Sequence, residues 1–379
     1  MLLLLLSMFF VLYGAVHVYA FAKVKTAFAI GLHSSLLLGV WMAVMTVAPI
    51  LIRLLEKHGY DLQARLLSHV GYLWMGFIFL FFSTGLVVEV YRLAVQGIGG
   101  VFRYDVVPLM PSPRACFFLP FFCALSLGVY GYFEAKDIRT EKITIRTSKL
   151  PKGVDKLRIA QISDVHLGLI VREERLLRVI EEVERTQPDI LISTGDLVDG
   201  QTNSLSGIAT PLARVNPRYG KYAVMGNHEF YAGLPQALAF TIQAGFIVLR
   251  GEAVSPGGVV NLVGVDDPAG EALGLYRHVP ERSLLTSLPH ERFTILLKHQ
   301  PLVEGEALGM FDLQVSGHTH KGQIFPFRLI TGVFFRYNSG WFDLGKGSRL
   351  YVSPGTGTWG PPIRLLAPPE VTLYELVRE

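Results

Sequence analysis

The 379-residue chain is 50% hydrophobic and 17% charged, with a formal net charge of +4. These figures exclude a disordered polyelectrolyte and give no broad electrostatic footprint for nucleic acid. Two cysteines, both in one apolar stretch, exclude a disulfide framework and leave the redox compartment unread.

Charge is unevenly spread: residues 1–134 hold 13 of the Asp, Glu, Lys and Arg side chains and residues 135–379 the other 53. We therefore divide the chain into a transmembrane region, 1–134, and a second domain, 135–379. Apolar runs at 1–21, 27–52, 70–91 and 115–133 each approach the ~20 residues that cross a hydrocarbon core. Four transmembrane helices are expected. The Met1-Leu-Leu-Leu-Leu-Leu start could open a signal peptide, but it lacks a basic flank and three more apolar runs follow.

With four spans, both termini share one side. That side holds Arg53, Lys57 and Arg65, then Lys136, Arg139, Lys142, Arg146 and Lys149; the other holds Lys23, Lys25, Arg92, Arg103 and Arg114. The excess predicts a cytoplasmic second domain. The basic flank after the fourth span suits anionic lipid. His17, His33 and Glu89 are polar groups in or beside spans; for Glu89, near Tyr91 and Arg92, an interfacial position is expected.

Beyond the membrane, alternation predicts a strand at 143–146 and another at 157–163, which ends on Asp164-Val-His166. Apolar residues at Leu176, Leu177, Ile180 and Val183 then predict a helix over 173–185, stopped by Pro188. The next strand, 189–193, runs into Gly195-Asp196. Further strands are expected at 221–225, 246–249, 259–265, 293–298, 313–316, 349–353 and 371–376. Many strands with helices between them imply a layered α/β domain, and open sheets of this kind place ligands beyond the carboxyl ends of their strands.

Five motifs stand beside those strands: Asp164-Val-His166, Gly195-Asp-Leu-Val-Asp199, Gly226-Asn-His-Glu229, Lys298-His299 and Gly317-His-Thr-His320. They contain five of the seven histidines beyond residue 135. Each alone would pass as turn chemistry; the ordered set would not. Asp164, Asp196, His166, His299, His318, His320 and Asn227 offer two carboxylates, four imidazoles and an amide, a donor mix suited to manganese, iron or zinc. Thiolates, which a structural zinc site favours, are missing from this half. Two adjacent divalent metals held this way would activate water and clamp a phosphoryl centre. His228 is expected to protonate the leaving oxygen and Asp199 to fix its tautomer; Glu229 has no evident role.

These motifs resemble the calcineurin-like metallophosphoesterase superfamily, from Asp164 to His320 without a missing ligand. The resemblance implies a four-layer αββα sandwich, with one metal on Asp164, His166, Asp196 and His320 and the other on Asp196, Asn227, His299 and His318. His228 with Asp199 would be the acid pair. Gly200 and Met225 stand where the superfamily's protein phosphatases carry arginines, so a phosphoprotein substrate is not expected.

Gly317-His-Thr-His-Lys-Gly-Gln323 and Ser353-Pro-Gly-Thr-Gly-Thr-Trp-Gly-Pro361 look most like the membrane-associated bacterial phosphodiesterase branch, which includes enzymes resembling UDP-diacylglucosamine pyrophosphatases of lipid A synthesis. Lys321 departs from the Gly common there. The resemblance implies a multi-pass protein of the bacterial inner membrane acting on a lipid or nucleotide-lipid phosphate. The alternatives are a cell-envelope phosphatase facing outward and a membrane sensor or transporter regulated by its metal domain.

Gly355-Thr-Gly-Thr-Trp-Gly360 mimics a dinucleotide fingerprint, but Pro361-Pro362 follows where a helix is needed, so a tight loop near the metals is expected. Phe325, Phe327, Phe334, Phe335, Tyr337, Trp341 and Trp359 follow the last ligands closely. They are either core or a rim contacting acyl chains or membrane.

Overall fold

A computed structural model describes residues 2–200, 205 and 207–379, with side chains from residue 7 onward. The chain divides into two compact units, residues 1–133 with 361–363, and residues 134–360 with 364–379.

The first unit holds α1 (Leu2–Phe28), α2 (Leu32–Lys57), α3 (Asp61–Phe102) and α4 (Pro113–Glu134). All four are long and apolar enough to cross a membrane. At 42 residues α3 is roughly 63 Å long, about twice a hydrocarbon core, so the apolar run 70–91 is only its middle. The flanking turns stay helical because no proline interrupts them before Arg103 takes a left-handed conformation at φ 57°.

His17 is buried and satisfied: Nδ1 lies 2.8 Å from the Tyr13 carbonyl, and the Trp74 indole donates to Nε2 at 2.9 Å. His33 is exposed. Glu89 is ion-paired with Lys23 and with Arg92 at 2.9 Å, so its charge has partners within the unit.

In the second unit two six-stranded mixed sheets face each other. The first comprises β1 (Arg139–Thr147), β2 (Lys156–Ile162), β3 (Ile190–Ser193), β4 (Lys221–Ala223), β5 (Ile247–Val248) and β12 (Glu370–Arg378), in the order β1-β12-β2-β3-β4-β5. The second comprises β6 (Glu252–Val254), β7 (Asn261–Gly264), β8 (Thr294–Leu297), β9 (Leu313–Ser316), β10 (Gly340–Gly345) and β11 (Ser348–Val352), in the order β10-β11-β9-β8-β7-β6. Strands β2 to β5 run parallel, as do β7, β8, β9 and β11.

Between the sheets lies a core with Ile159, Ile192, Leu262, Ile295, Val315 and Tyr374 among its members. A second core joins the outer face of the first sheet to α5 (Glu173–Arg185), α6 (Ala209–Arg214) and α8 (Leu234–Gln243). A third sets α9 (Glu281–Thr286) against the outer face of β7 and β8, through Leu285, Val263 and Leu296. The layers are thus αββα, with α7 (Asn227–Ala232) and α10 (Phe327–Phe334) completing the helices named here.

On α5 the buried stripe is Leu176, Val179, Ile180 and Val183, each stabilising by about 1.5–3 kcal/mol when removed from water. Leu177, expected on that stripe, is 48% exposed, and Val179 takes its place.

Candidate functional site

Parallel pairing brings the carboxyl ends of β2, β3 and β4 side by side in one sheet and those of β8 and β9 side by side in the other. Asp164, Asp196 and Asn227 leave the first group; His299 and His318 leave the second. Loops this short must turn at once. Asp164, His166, Asp196, His318 and His320 all have positive φ, between 48° and 70°. Few non-glycine residues adopt that conformation, at a cost of order 1–3 kcal/mol each, and such strain gathers where a backbone is held for function.

Two glycines are required here by close approach. A Cβ on Gly226 would stand 2.2 Å from Asp196 Oδ1, and one on Gly317 would stand 2.2 Å from Asp164 Oδ2.

All nine residues singled out in the motifs come together. His166 Nε2 is 3.0 Å from His320 Nε2, which is 3.4 Å from Asp164 Oδ1. His299 Nε2 lies 3.2 Å from Asp196 Oδ2 and 3.0 Å from Asn227 Oδ1; His318 Nδ1 is 2.9 Å from the same Asn227 oxygen. Asp196 Oδ2 also faces His166 Nε2 at 3.7 Å, so one carboxylate oxygen belongs to both clusters. His228 Nδ1 is 2.8 Å from Asp199 Oδ1.

Three His/Asp groups, Asp164-His166-His320, His166-Asp196-His228 and Asp196-His299-His318, present converging donor atoms. Imidazole nitrogens and carboxylate oxygens that face one another this closely share too few protons to be mutually satisfied. Divalent cations fit such a donor set.

A shell of backbone contacts fixes the loops. Glu229 is fully buried: Oε2 accepts the amides of Asp196 at 2.9 Å and Gly226 at 2.7 Å, and Oε1 those of Leu197 at 2.6 Å and Val198 at 3.1 Å. One carboxylate therefore ties the Asp196 loop to the Asn227 loop. Sequence reading left Glu229 without a role, because its partners are amides that no side-chain pattern reveals.

The Gly355–Gly360 segment is the loop expected: the Thr356 amide donates to the Ser163 carbonyl at 2.7 Å and the Gly357 amide to that of Asp164 at 2.9 Å. Arg364, missed entirely in the sequence, is a fully buried guanidinium that donates to the carbonyls of Pro354, Gly357 and Ala367 at 2.7–2.9 Å. Its Nη2 stands 3.3 Å from His320 Nδ1.

Charges in the cluster oppose one another. Burial alone would lower the His299 imidazole, but the Asp196 carboxylate overrides it and holds it well above its ordinary range. Burial pushes His318 down to about 3, with His299 adding to the effect. Burial drives His320 well below its ordinary value, helped by His166 and Arg364. Against burial, His299 and His228 hold Asp196 far below the usual carboxylate range. The site therefore sets the anionic Asp196 carboxylate beside the neutral His318 and His320 imidazoles, the forms that ligate metal, while Asp196 holds a proton on His299 that a metal there would displace.

Phe335 meets His318 edge-on at 5.0 Å, and Trp359 and Tyr231 each lie 5.8 Å from the His228 ring. Trp359 is 50% exposed and Phe334 68%, so these aromatics line a surface and the core reading does not hold for them. Met225 is buried with Phe230 and Leu234 in an apolar cluster, which makes it a packing residue where an arginine would be a phosphate grip.

The family model for calcineurin-like phosphoesterases matches residues 157–322. An uncharacterized metallophosphoesterase of Aquifex aeolicus is 45% identical over 256 residues, covering 67% of this chain and 98% of the relative. The chain belongs to the calcineurin-like metallophosphoesterases. Members of this family are metal-dependent phosphoester hydrolases, and so is this metallophosphoesterase.

Metallophosphoesterase YkuE of Bacillus subtilis is 34% identical, over 66% of this chain and 90% of its own. A relative from Danio rerio described as a transmembrane protein with metallophosphoesterase domain is 31% identical, over 65% of this chain and 59% of its own. Among solved structures, the NAD nucleotidase of Haemophilus influenzae matches at 15% identity and TM-score 0.36, covering 54% of this metallophosphoesterase and 46% of that chain.

Proposed function

We propose that this metallophosphoesterase hydrolyses a phosphodiester or pyrophosphate bond in a lipid or nucleotide-lipid such as UDP-diacylglucosamine, at the surface of a bacterial inner membrane. Residues 1–134 anchor it and residues 135–379, facing the cytoplasm, carry out the reaction. The observation that carries this reading is the convergence of Asp164, His166, Asp196, Asn227, His299, His318 and His320 in a chain with four helices able to span a membrane.

Two manganese ions would suit the donors: Asp164, His166, Asp196 and His320 would hold one, and Asp196, Asn227, His299 and His318 the other. Such a pair supplies Lewis acidity toward phosphoryl oxygens and a water nucleophile at neutral pH. The protein's own part is positional and protonic. Asp196 is placed to serve both clusters through Oδ2, and Asn227 brings a neutral oxygen that leaves net charge unchanged. With Nδ1 engaged by Asp199 at 2.8 Å, His228 presents Nε2 as the proton donor to the leaving oxygen. Trp359 and Tyr231 flank that ring and can shield it from bulk water. Met225 and Gly200 offer no arginine grip for a phosphomonoester dianion, which favours a diester or anhydride.

The test uses the full-length chain in detergent with manganese. Bis(4-nitrophenyl) phosphate should be cleaved, and UDP-diacylglucosamine should release UMP. His228→Asn should lower turnover by roughly 10²–10⁴-fold, and Asp196→Asn should abolish it. A metal-loaded protein that cleaves no diester, or a His228→Asn variant as active as the parent, would overturn the reading.

A further inference from the structure

The loop after β8, the end of α10 with the residues that follow it, and β10 line an open groove of about 490 Å³ that the residues assigned above do not use. Leu302, Leu308, Phe334, Phe335, Tyr337 and Leu344 line it, with Arg336 as its cation. Its volume lies within the range of ligand pockets, and its side chains are mostly apolar, although a substantial share of the lining surface is polar.

The groove is continuous with the His/Asp cluster. Phe335, a wall residue, packs edge-on against His318 at 5.0 Å, and Leu302 follows His299 by three positions. Above it, α10 buries none of its eight residues; Leu329, Val333 and Phe334 are 66%, 81% and 68% exposed. A short helix that is apolar and unburied is stabilised by neither its own core nor water. Between Asp312 and Asp343 the chain carries Lys321, Arg328 and Arg336 but no acidic residue. A cationic, aromatic-rich segment of this kind complements an anionic amphiphile better than a neutral or acidic partner.

We propose that this groove binds an alkyl chain of a lipid phosphate whose phosphorus lies at the His/Asp cluster, with Arg336 at the groove facing the anionic end. This rests on the lipid-phosphoester reading above and adds where the chain of that substrate is held. Each methylene taken up removes apolar surface from water, worth about 0.8 kcal/mol or roughly fourfold in affinity. Two or more methylenes held in the groove therefore give at least a tenfold preference for a chain-bearing ester.

The experiment uses full-length protein in detergent with manganese and two probes. The first is dodecyl phosphate with a terminal diazirine, photolysed and mapped by mass spectrometry. The second is the kcat/KM ratio of dodecyl to methyl 4-nitrophenyl phosphate. Label is expected on residues 302–308, 334–337 or 344, with a ratio above about tenfold. Leu302→Asp and, as a second variant, Leu308→Trp should each reduce groove labelling at least fivefold and bring the ratio to within about twofold, while Leu302→Met retains both. Thermal melting of each variant establishes that it is folded.

Label confined to other segments, or equal labelling in parent and folded variants, would overturn the inference. Hydrolysis of the methyl ester without groove labelling sinks the groove alone. Groove labelling without hydrolysis of either ester sinks the hydrolase reading and leaves a lipid-binding site.

Discussion

Replacing Glu229 by Gln tests what holds the ligand loops in place. The two residues have nearly the same shape, yet Gln has one acceptor oxygen where Glu has two. Oε2 receives the amides of Asp196 and Gly226, and Oε1 those of Leu197 and Val198. Whichever way the new carboxamide turns, two backbone donors face an NH₂ group and lose their acceptor. Glu229 is fully buried, so water cannot substitute. An unsatisfied buried donor costs about 1–3 kcal/mol, so the pair costs about 4 kcal/mol near mid-range. For a unit of this size that corresponds to a fall of about 8–16 °C in Tm.

The displaced segments carry Asp196 and Asn227, so manganese affinity measured by titration calorimetry should also fall, by roughly 10–100-fold as for other outer-shell partners. Burial raises the Glu229 carboxyl, and the neighbouring Asp196 charge adds to this, while the amides of Val198 and Gly226 oppose both. A protonated Glu229 would resemble Gln in its acceptors, so acidification of the parent protein should reproduce part of the defect. If Glu229→Gln melts within about 2 °C of the parent and binds manganese equally, less than about 1 kcal/mol has been lost and the amide cradle does not position the ligands.

Other perturbations test separate parts of the structure. Arg364→Met leaves three buried carbonyls, those of Pro354, Gly357 and Ala367, without donors; after the relief of guanidinium desolvation a net loss of about 3 kcal/mol is expected by thermal melting. Arg364→Lys should rescue little, because one ammonium cannot reproduce the fork. Gly317→Ala puts a methyl 2.0 Å from Ser163 Oγ and should weaken manganese binding measured by calorimetry, while Gly332→Ala, with nothing within 4 Å, should not.

Glu375 supplies the pH test. Burial tends to raise its carboxyl, but hydrogen bonds from Lys142 and Lys156 prevail and hold it at about 2, against an ordinary 4.5. Its contribution is therefore present above pH 4.5 and lost as the pH falls toward 2. Parent and Glu375→Gln melting curves should differ at pH 7 and converge near pH 2; a gap independent of pH would count against the ion pairs.

What could be read in the sequence divides along a physical line. Asp164, His166, Asp196, Asn227, His299, His318 and His320 were visible because a cation site needs particular donor atoms, and parallel strands deliver them from loops close to the strand ends. The β3 and β8 strands were visible because both faces are buried, giving nearly continuous apolar runs, while β2 and β9 were visible by alternation, with Arg158, Gln161, Gln314 and Ser316 between their apolar residues. The β10 strand alternates between half-buried and exposed residues, and β6 is only three residues long, so neither announces itself. Leu177 and Val179 lie two positions apart on α5, and periodicity alone could not choose between them.

Glu229 and Arg364 were hidden for a different reason. Their partners are backbone amides and carbonyls, which every residue possesses, so nothing in the identity of Gly226, Leu197, Pro354 or Ala367 marks them as the other half of a contact. The left-handed conformations of Asp164, His166, Asp196, His318 and His320 are hidden likewise, since the sequence gives no glycine at those positions. The two findings belong together. Loops held at unfavourable φ relax unless something else restrains them, and buried charges satisfied by backbone groups supply that restraint at Asp196 and along the loop beside Asp164. Donor identity, legible in the sequence, determines what the site can bind; the restraint, legible only in three dimensions, determines whether it is formed before a metal arrives.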